Sequence, residues 1–497
     1  MITPADLLAA GSLPAAWAAN WRAEPNRPVL ADRGGAWIAA GELDERTARL
    51  AGRLAGAGLR RGDRVLLSGP TSSDLVVAHC AAMRAGLVVV PVNSAYSPRE
   101  LRVIAEDAEP RAAILAAENL RDAIASTHPA LLVTDLGIDL PDTAPTGLDR
   151  SRPDDPALLP YTSGTTGTPK GALLSHGNLL ASAEALRRAW RWTPDDRLLL
   201  SLPLFHMHGL GVGVHGTLLA GASMLLIDRF DPAVVLAESA NATLFFGVPT
   251  MYSRLVRAAG AARLGRLRLC VSGSAPMSAE LHAVVEATCG QRVIERYGMT
   301  ETVMLTSNPY DGERKAGTVG LPLHGVELRL GAGNEIEVRG PNVFAGYWRR
   351  PDATADCFSE AADGHRPWFR TGDIGELDPD GYLRIVGRAK ELIITGGYNV
   401  YPREIEDVLR GHPAVVDVAV VGEPSEEWGE VVTAFVEPGA GFDADDLVRW
   451  ASEHLAPYKL PRRVHEIDAL PRNRLGKVVR GDLTERPPHA GHRDVPA

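Results

Sequence analysis

Lysine is scarce in this 497-residue chain: five lysines stand against 47 arginines. An excess of positive charge is missing too, because 62 acidic residues against 52 basic ones leave a net charge of −10. That excludes a nonspecific nucleic-acid binder, which needs surplus cations to neutralise phosphates. Cysteine is rare and scattered. Cys80, Cys270, Cys289 and Cys357 form no Cys-x-x-Cys pair, so they read as small buried apolar side chains rather than a zinc site or a disulfide framework. No apolar run approaches the ~18 residues of a membrane-spanning helix. The first residues carry Asp6 and no early Lys or Arg, unlike a secretory leader. A soluble, cytoplasmic protein is the expectation, with no nucleic-acid partner and no membrane span.

What is present is a globular composition, 45% apolar, on a chain long enough for roughly three structural units. Over the first 300 residues, helix-like spacings alternate with short apolar runs: Arg64–Ser68, Leu87–Val92, Leu198–Leu202, Met224–Ile227 and Leu267–Ser272. That alternation predicts βαβ units and mostly parallel sheets, an α/β fold. From about residue 317 the texture changes to short alternating strands, Val326–Leu330 and Glu335–Arg339, expected to form a small barrel-like unit. A second change near Gly387-Arg388 opens a compact run with its own strands, Val415–Val421 and Val431–Val436, read as a small α+β domain. The expected division is 1–387, 388–484 and a polar, Pro-rich tail, 485–497, too polar to order itself.

The most informative segment is Tyr161-Thr-Ser-Gly-Thr-Thr-Gly-Thr-Pro-Lys170-Gly171, followed by an apolar, strand-like run, Ala172–Leu174. Small hydroxyl residues and glycines let backbone N–H groups approach phosphate oxygens, and one Lys adds a mobile cation. A flexible surface loop has the same composition. The Walker-A spacing is not met, because Pro169 stands five residues after Gly164 and Gly171 follows the Lys.

In its order of residues this loop resembles the signature of the adenylate-forming superfamily, and the resemblance continues from about Ala36 to Leu483. SLPLFHMHG contains His206. SGSAP spans Ser272–Pro276, YGMTE spans Tyr297–Glu301, and GPNVFAGYW contains Tyr347. TGD is Thr371–Asp373, and GRAKE with GGYNVYPREIE follows from Gly387. PRNRLGK ends at Lys477. The resemblance implies a large N-terminal domain of two αβ subdomains plus the barrel-like unit, and a small mobile α+β C-terminal domain. It implies ATP, Mg2+ and coenzyme A. The ATP site would comprise Thr162, Ser163, Gly164, Thr165, Thr166, Gly167, Lys170, Gly273, Ser274, Ala275, Glu295, Tyr297, Gly298 and Met299, with Asp373 and Arg388 at the ribose. Thr300 and Glu301 would face phosphates and magnesium, with Glu301 as the metal ligand. Lys477 would be the catalytic lysine, Lys390 the hinge, and Gly396-Gly397 part of the thiol tunnel.

The acid is read from two arginines. Arg254 falls in GVPTMYSRL, where Pro249 and Thr250 mark a helix start. Arg296 directly precedes Tyr297. A fork-shaped cation beside an acyl site is poor for an alkyl chain and suits a second carboxylate. With ERYGMTET and TSNPYDGERKAGTVGLPLHGV, these segments resemble malonyl-CoA synthetases, including those that accept methylmalonate. There the matching arginines hold the distal carboxylate, and a histidine matching His206 lies nearby. Structural ion pairs to Glu295 or Asp311 are the plain alternative for both arginines. Ligases for short, fatty or aromatic monocarboxylates, and stand-alone enzymes that load a carrier protein, share every motif except the pocket.

Overall fold

The computed structural model describes residues 3–162, 169–359, 366–395, 398–425, 428–472, 477–484 and 493–494. Its contacts divide the chain into two compact units, Met1–Leu328 with Val338–Phe369, and Arg329–Glu337 with Arg370–Ala497.

Among its described residues the first unit holds two large sheets, besides the short pairing of Tyr161–Thr162 with Lys170–Gly171. In the larger, the strands run Leu321–Pro322, Thr306–Ser307, Ile294–Tyr297, Leu269–Ser272, Leu244–Gly247, Arg197–Leu200, Ser223–Leu226, Pro28–Asp32 and Ile38–Ala39. The six central strands pair in parallel and the edges are antiparallel. Strands covered on both faces need continuous apolar runs. Leu198–Leu200, Leu244–Phe246 and Leu269–Val271 supply them, all buried. The second sheet follows the order Leu174–Ser175, Pro156–Leu158, Val88–Pro91, Arg64–Ser68, Ala112–Leu115 and Leu132–Thr134. The expected α/β reading and most of the expected strands are therefore present.

The run Ala172–Leu174 differs from its reading as one strand. Ala172 instead bridges to Tyr347, and the Leu173 N–H donates to the Gly346 carbonyl at 3.1 Å. A short strand, Lys170–Gly171, precedes it and another, Leu174–Ser175, begins at its last residue. The helix His176–Ala189 then starts on a capping box: Ser175 Oγ accepts from the Asn178 N–H at 3.1 Å, and Asn178 Oδ1 accepts from the Ser175 N–H at 2.9 Å.

The strands expected to be barrel-like form a four-stranded sheet in chain order: Glu327–Leu330, Glu335–Arg339, Phe369–Leu377 and Leu383–Arg388. The second unit's other sheet contains Tyr398–Val400, Ile393–Thr395, Gly429–Pro438, Arg463–Glu466 and Arg493–Asp494, with Val415–Ser425 on Gly429–Pro438. Helices Pro402–Arg410 and Ala444–Ser452 contribute Ile405, Leu409 and Leu447 to the core against Val418, Val420 and Val436. Arg493–Asp494 lie in the tail expected to be disordered and pair with Arg463–Val464. Among the described residues no helix is long and apolar enough to cross a membrane. All four cysteines are free; Cys80 and Cys270 are buried as expected, whereas Cys289 and Cys357 are only half-buried.

Candidate active site

In the first unit the motifs gather where parallel strands end. Arg197–Leu200 leads to His206, Leu244–Gly247 to the helix Pro249–Val256, Leu269–Ser272 to Gly273-Ser274-Ala275, and Ile294–Tyr297 to Gly298–Glu301. Carboxyl ends of parallel strands are the usual ligand edge of such sheets, because the loops there converge on one crevice.

The two ends of the Tyr161–Gly171 segment pair as a two-stranded ribbon. Thr162 pairs with Lys170 and Tyr161 with Gly171, and the Tyr161 hydroxyl donates to Asp107 at 2.7 Å. Ser163, Gly164, Thr165, Thr166 and Gly167 lie outside the described residues, as do Gly396 and Gly397. Lys170 Nζ stands 5.5 Å from the ring centroid of Tyr347, and the Tyr347 hydroxyl donates to Glu301 Oε1 at 2.8 Å.

Glu301 is buried at 4% exposure, on a tightly determined loop. The Leu305 N–H donates to the Tyr297 carbonyl at 2.9 Å. A Cβ at Gly298 would meet the Val303 carbonyl oxygen at 2.0 Å, so the loop requires glycine there. Val303 sits at φ +56°, a conformation a β-branched residue rarely adopts. Asn342 Nδ2 donates to the Thr302 and Met304 carbonyls, both at 2.9 Å, and holds the turn from either side. Asn178 Nδ2 in turn donates to Pro341 and Val343, so the start of a helix braces the loop. Tyr297 is nearly buried, and Thr300 and Met299 are half-buried.

Arg296 is buried at 4% exposure, and its Nε and Nη2 have no hydrogen-bond partner among the described residues. Burial works against the charge and pulls its pKa down to about 9, with Glu295 opposing the shift. The ion pairs that would make it structural are absent among the described residues. Glu295 turns away to accept from the Met277 N–H at 3.0 Å and to meet His282 Nε2 at 3.3 Å, while Asp311 pairs with Arg191 at 2.7 Å. Beside Arg296 lies a histidine that the sequence reading left without a role. His208 is buried, its Nδ1 is 3.2 Å from Ser274 Oγ, and its Nε2 has no partner among the described residues. Burial first, then the charges of Arg296 and His206, holds its pKa well below the ordinary range, so it stays neutral. Its signal was the second histidine of FHMHG. His206 itself is half-buried against Phe205, ring centroids 4.6 Å apart. Arg254 is placed differently: it is exposed on its helix, with the guanidinium 5.0 Å over the Phe230 ring. Nothing in the described geometry brings it to Arg296.

In the second unit, Asp373 and Arg388 are cross-strand partners, with Arg388 Nε 2.9 Å from Asp373 Oδ1. Asp373 is buried, and Gly372 before it sits at φ +74°. Lys390 lies in the short turn Ala389–Glu391 and is exposed. Lys477 is exposed; its neighbour Val478 bridges to Arg472, and the Val479 N–H donates to the Pro471 carbonyl at 2.8 Å.

Comparison with known proteins agrees with this geometry. Residues 17–348 match the AMP-binding enzyme family, and residues 404–477 match the AMP-binding enzyme C-terminal domain. A feruloyl-CoA synthase of Amycolatopsis sp is 38% identical over 91% of this chain and 94% of its own. A sulfoacetate–CoA ligase of Cupriavidus necator is 37% identical over 96% and 97%. Among solved structures, ATP-bound MatB from Rhodopseudomonas palustris superposes with a TM-score of 0.89 at 39% identity, covering 95% of this chain and 98% of that one. A malonyl-CoA ligase ternary product complex with methylmalonyl-CoA and AMP bound gives 0.66 at 41% identity, covering 90% and 97%. The chain therefore belongs to the AMP-binding enzyme family and is an ATP- and CoA-using acyl-CoA ligase that resembles malonyl-CoA synthetases.

Proposed function

We propose that the acid is a small dicarboxylate, malonate or methylmalonate. One carboxylate oxygen attacks the α-phosphorus of ATP, pyrophosphate leaves, and an acyl-adenylate forms. The thiol of CoA then attacks the acyl carbon and AMP leaves. The observation that carries the choice of acid is Arg296, a buried guanidinium with two nitrogens unpartnered among the described residues. A buried charge without its partner costs about 3–5 kcal/mol, which the distal carboxylate of a diacid offsets and an alkyl chain does not. Neutral His208 beside it adds a hydrogen-bonding group without a competing charge. His206 lines the same strand end. Arg254, stacked on Phe230 in the open, is the weaker of the two arginine contributions.

The remaining roles follow the motifs. Tyr297 offers its face to adenine, and Gly273, Ser274, Ala275, Gly298 and Met299 offer close backbone. Asp373, with Arg388, accepts the ribose hydroxyls. Thr300 and Glu301 face the phosphates. Glu301 fits magnesium: it is a single buried carboxylate, and no cluster of three metal-ligating side chains exists among the described residues. Magnesium is commonly held that way, by one or two carboxylates with substrate phosphates and water, and it would neutralise phosphate charge. Lys170 and Lys477 add positive charge where an anion approaches a polyanion. Lys390 serves as the hinge and Gly396-Gly397 as the thiol-tunnel turn. Measuring pyrophosphate release with ATP, magnesium and CoA across malonate, methylmalonate, succinate, sulfoacetate, butyrate, octanoate and ferulate tests the choice. Turnover of the short diacids is expected to lead. Turnover of ferulate or octanoate with none of malonate or methylmalonate would replace this reading with a monocarboxylate ligase.

A further inference from the structure

We infer that Tyr347 is a positioning residue that sets the Glu301 carboxylate for the metal-bound phosphates and ties it to the base of the phosphate loop. This rests on the proposed role of Glu301 toward magnesium.

Five contacts meet at Tyr347. Its backbone runs beside the strand that leaves the phosphate loop: Tyr347 bridges to Ala172, and the Trp348 N–H donates to the Gly171 carbonyl at 2.8 Å. Its own N–H donates to Thr354 Oγ1 at 2.9 Å. That approach is close enough that a Cβ on Gly346 would stand 2.4 Å from Thr354 Cγ2. The ring packs edge-on against Phe344 at 5.0 Å and carries Lys170 Nζ 5.5 Å from its centroid. The hydroxyl donates to Glu301 Oε1 at 2.8 Å.

A carboxylate can rotate about its last bond, and a hydrogen bond to one oxygen fixes the plane and presents the other. Donors of this kind behind a metal-facing ligand are worth about 10–100-fold in metal affinity. The ring does separate work: a cation over an aromatic face is attracted to it, and Lys170 gains a fixed rest position. Tyr347→Phe removes only the hydroxyl and keeps the ring, the packing and the bridge to Ala172.

The test compares wild type, Tyr347→Phe and Glu301→Gln. Mn2+ binding in the presence of ATP is followed by its electron paramagnetic resonance signal, ATP binding without metal by calorimetry, and folding by the unfolding midpoint. Tyr347→Phe is expected to weaken Mn2+ about tenfold in the ternary complex, leaving metal-free ATP affinity and the midpoint as in wild type. Glu301→Gln should weaken Mn2+ at least as much. Wild-type Mn2+ affinity in Tyr347→Phe, with a loss in Glu301→Gln, would overturn the positioning role alone. Wild-type affinity in Glu301→Gln would overturn the metal role of Glu301 and the inference with it. An equal loss of metal-free ATP affinity in Tyr347→Phe would reduce Tyr347 to a structural clip.

Discussion

The Arg296 guanidinium lies against Gly273 so closely that a Cβ built on the glycine would stand 2.4 Å from Cζ and 2.7 Å from Nε. The side chain that gives way to such a Cβ is the flexible one, so Gly273→Ala moves the cation rather than the backbone. Misplacement by about 1 Å can cost up to about a hundredfold in rate. Gly273→Ala is expected to lower kcat/KM for malonate about tenfold or more, and to leave butyrate turnover much closer to wild type. Steady-state kinetics on the two acids reads this directly.

Lys477 stands exposed next to the Arg472–Val478 bridge, so removing its side chain disturbs no core. Lys477→Ala should abolish acyl-adenylate formation yet spare thioester formation from supplied acyl-adenylate and CoA. Adenylate formation at near the wild-type rate would remove the assigned role.

The pairing of Asp373 with Arg388 makes a prediction about the sugar. If Asp373 accepts ribose hydroxyls, the wild type should discriminate against 2′-deoxy- and 3′-deoxy-ATP. Asp373→Ala should raise KM for ATP and treat ATP and at least one deoxy analogue alike. Retained discrimination against both analogues would place the ribose elsewhere.

Four histidines give the fold an acid sensitivity. Burial lowers the pKa of His79 to about 3 and of His176 to about 4, and holds His208 and His215 well below the ordinary range. The unfolded chain takes up these protons below about pH 6.5 and the folded chain does not. The stabilisation is thus complete above that value and is lost as pH falls, by up to about 1.4 kcal/mol per group per pH unit. For His176 and His79 the loss ends near their folded pKa values. Thermal unfolding between pH 7 and pH 5 should show a clear fall in midpoint. A flat profile would contradict the neutral, buried state of these four histidines.

Much of the fold is legible in local sequence because strands buried on both faces carry unbroken apolar runs. Arg64–Ser68 and Glu335–Arg339 match residue for residue. Leu267 and Arg268, read as the start of a strand, lie outside it, because Arg268 turns its fork onto Asp196. The run after Lys170 is broken by a partner at Tyr347, far along the chain, which no local pattern reveals. In the site, the strand ends were predictable and the helix face was less so. Tyr252 and Leu255 are the buried positions of the helix that carries Arg254, and that spacing already turns residue 254 outward. His208 escaped notice because only the first histidine of its motif had a role to inherit.

The central claim, that Arg296 selects a second anion, is tested most directly by the ratio of kcat/KM for malonate over butyrate in wild type, Arg296→Leu and Arg254→Leu. Losing a buried partner for a charge costs about 2–5 kcal/mol, so Arg296→Leu should cut the ratio about thirtyfold or more. An exposed cation is worth about 1 kcal/mol at most, so Arg254→Leu should cut it no more than about fivefold. Equal losses on both acids in Arg296→Leu would make that arginine a structural residue and contradict the account.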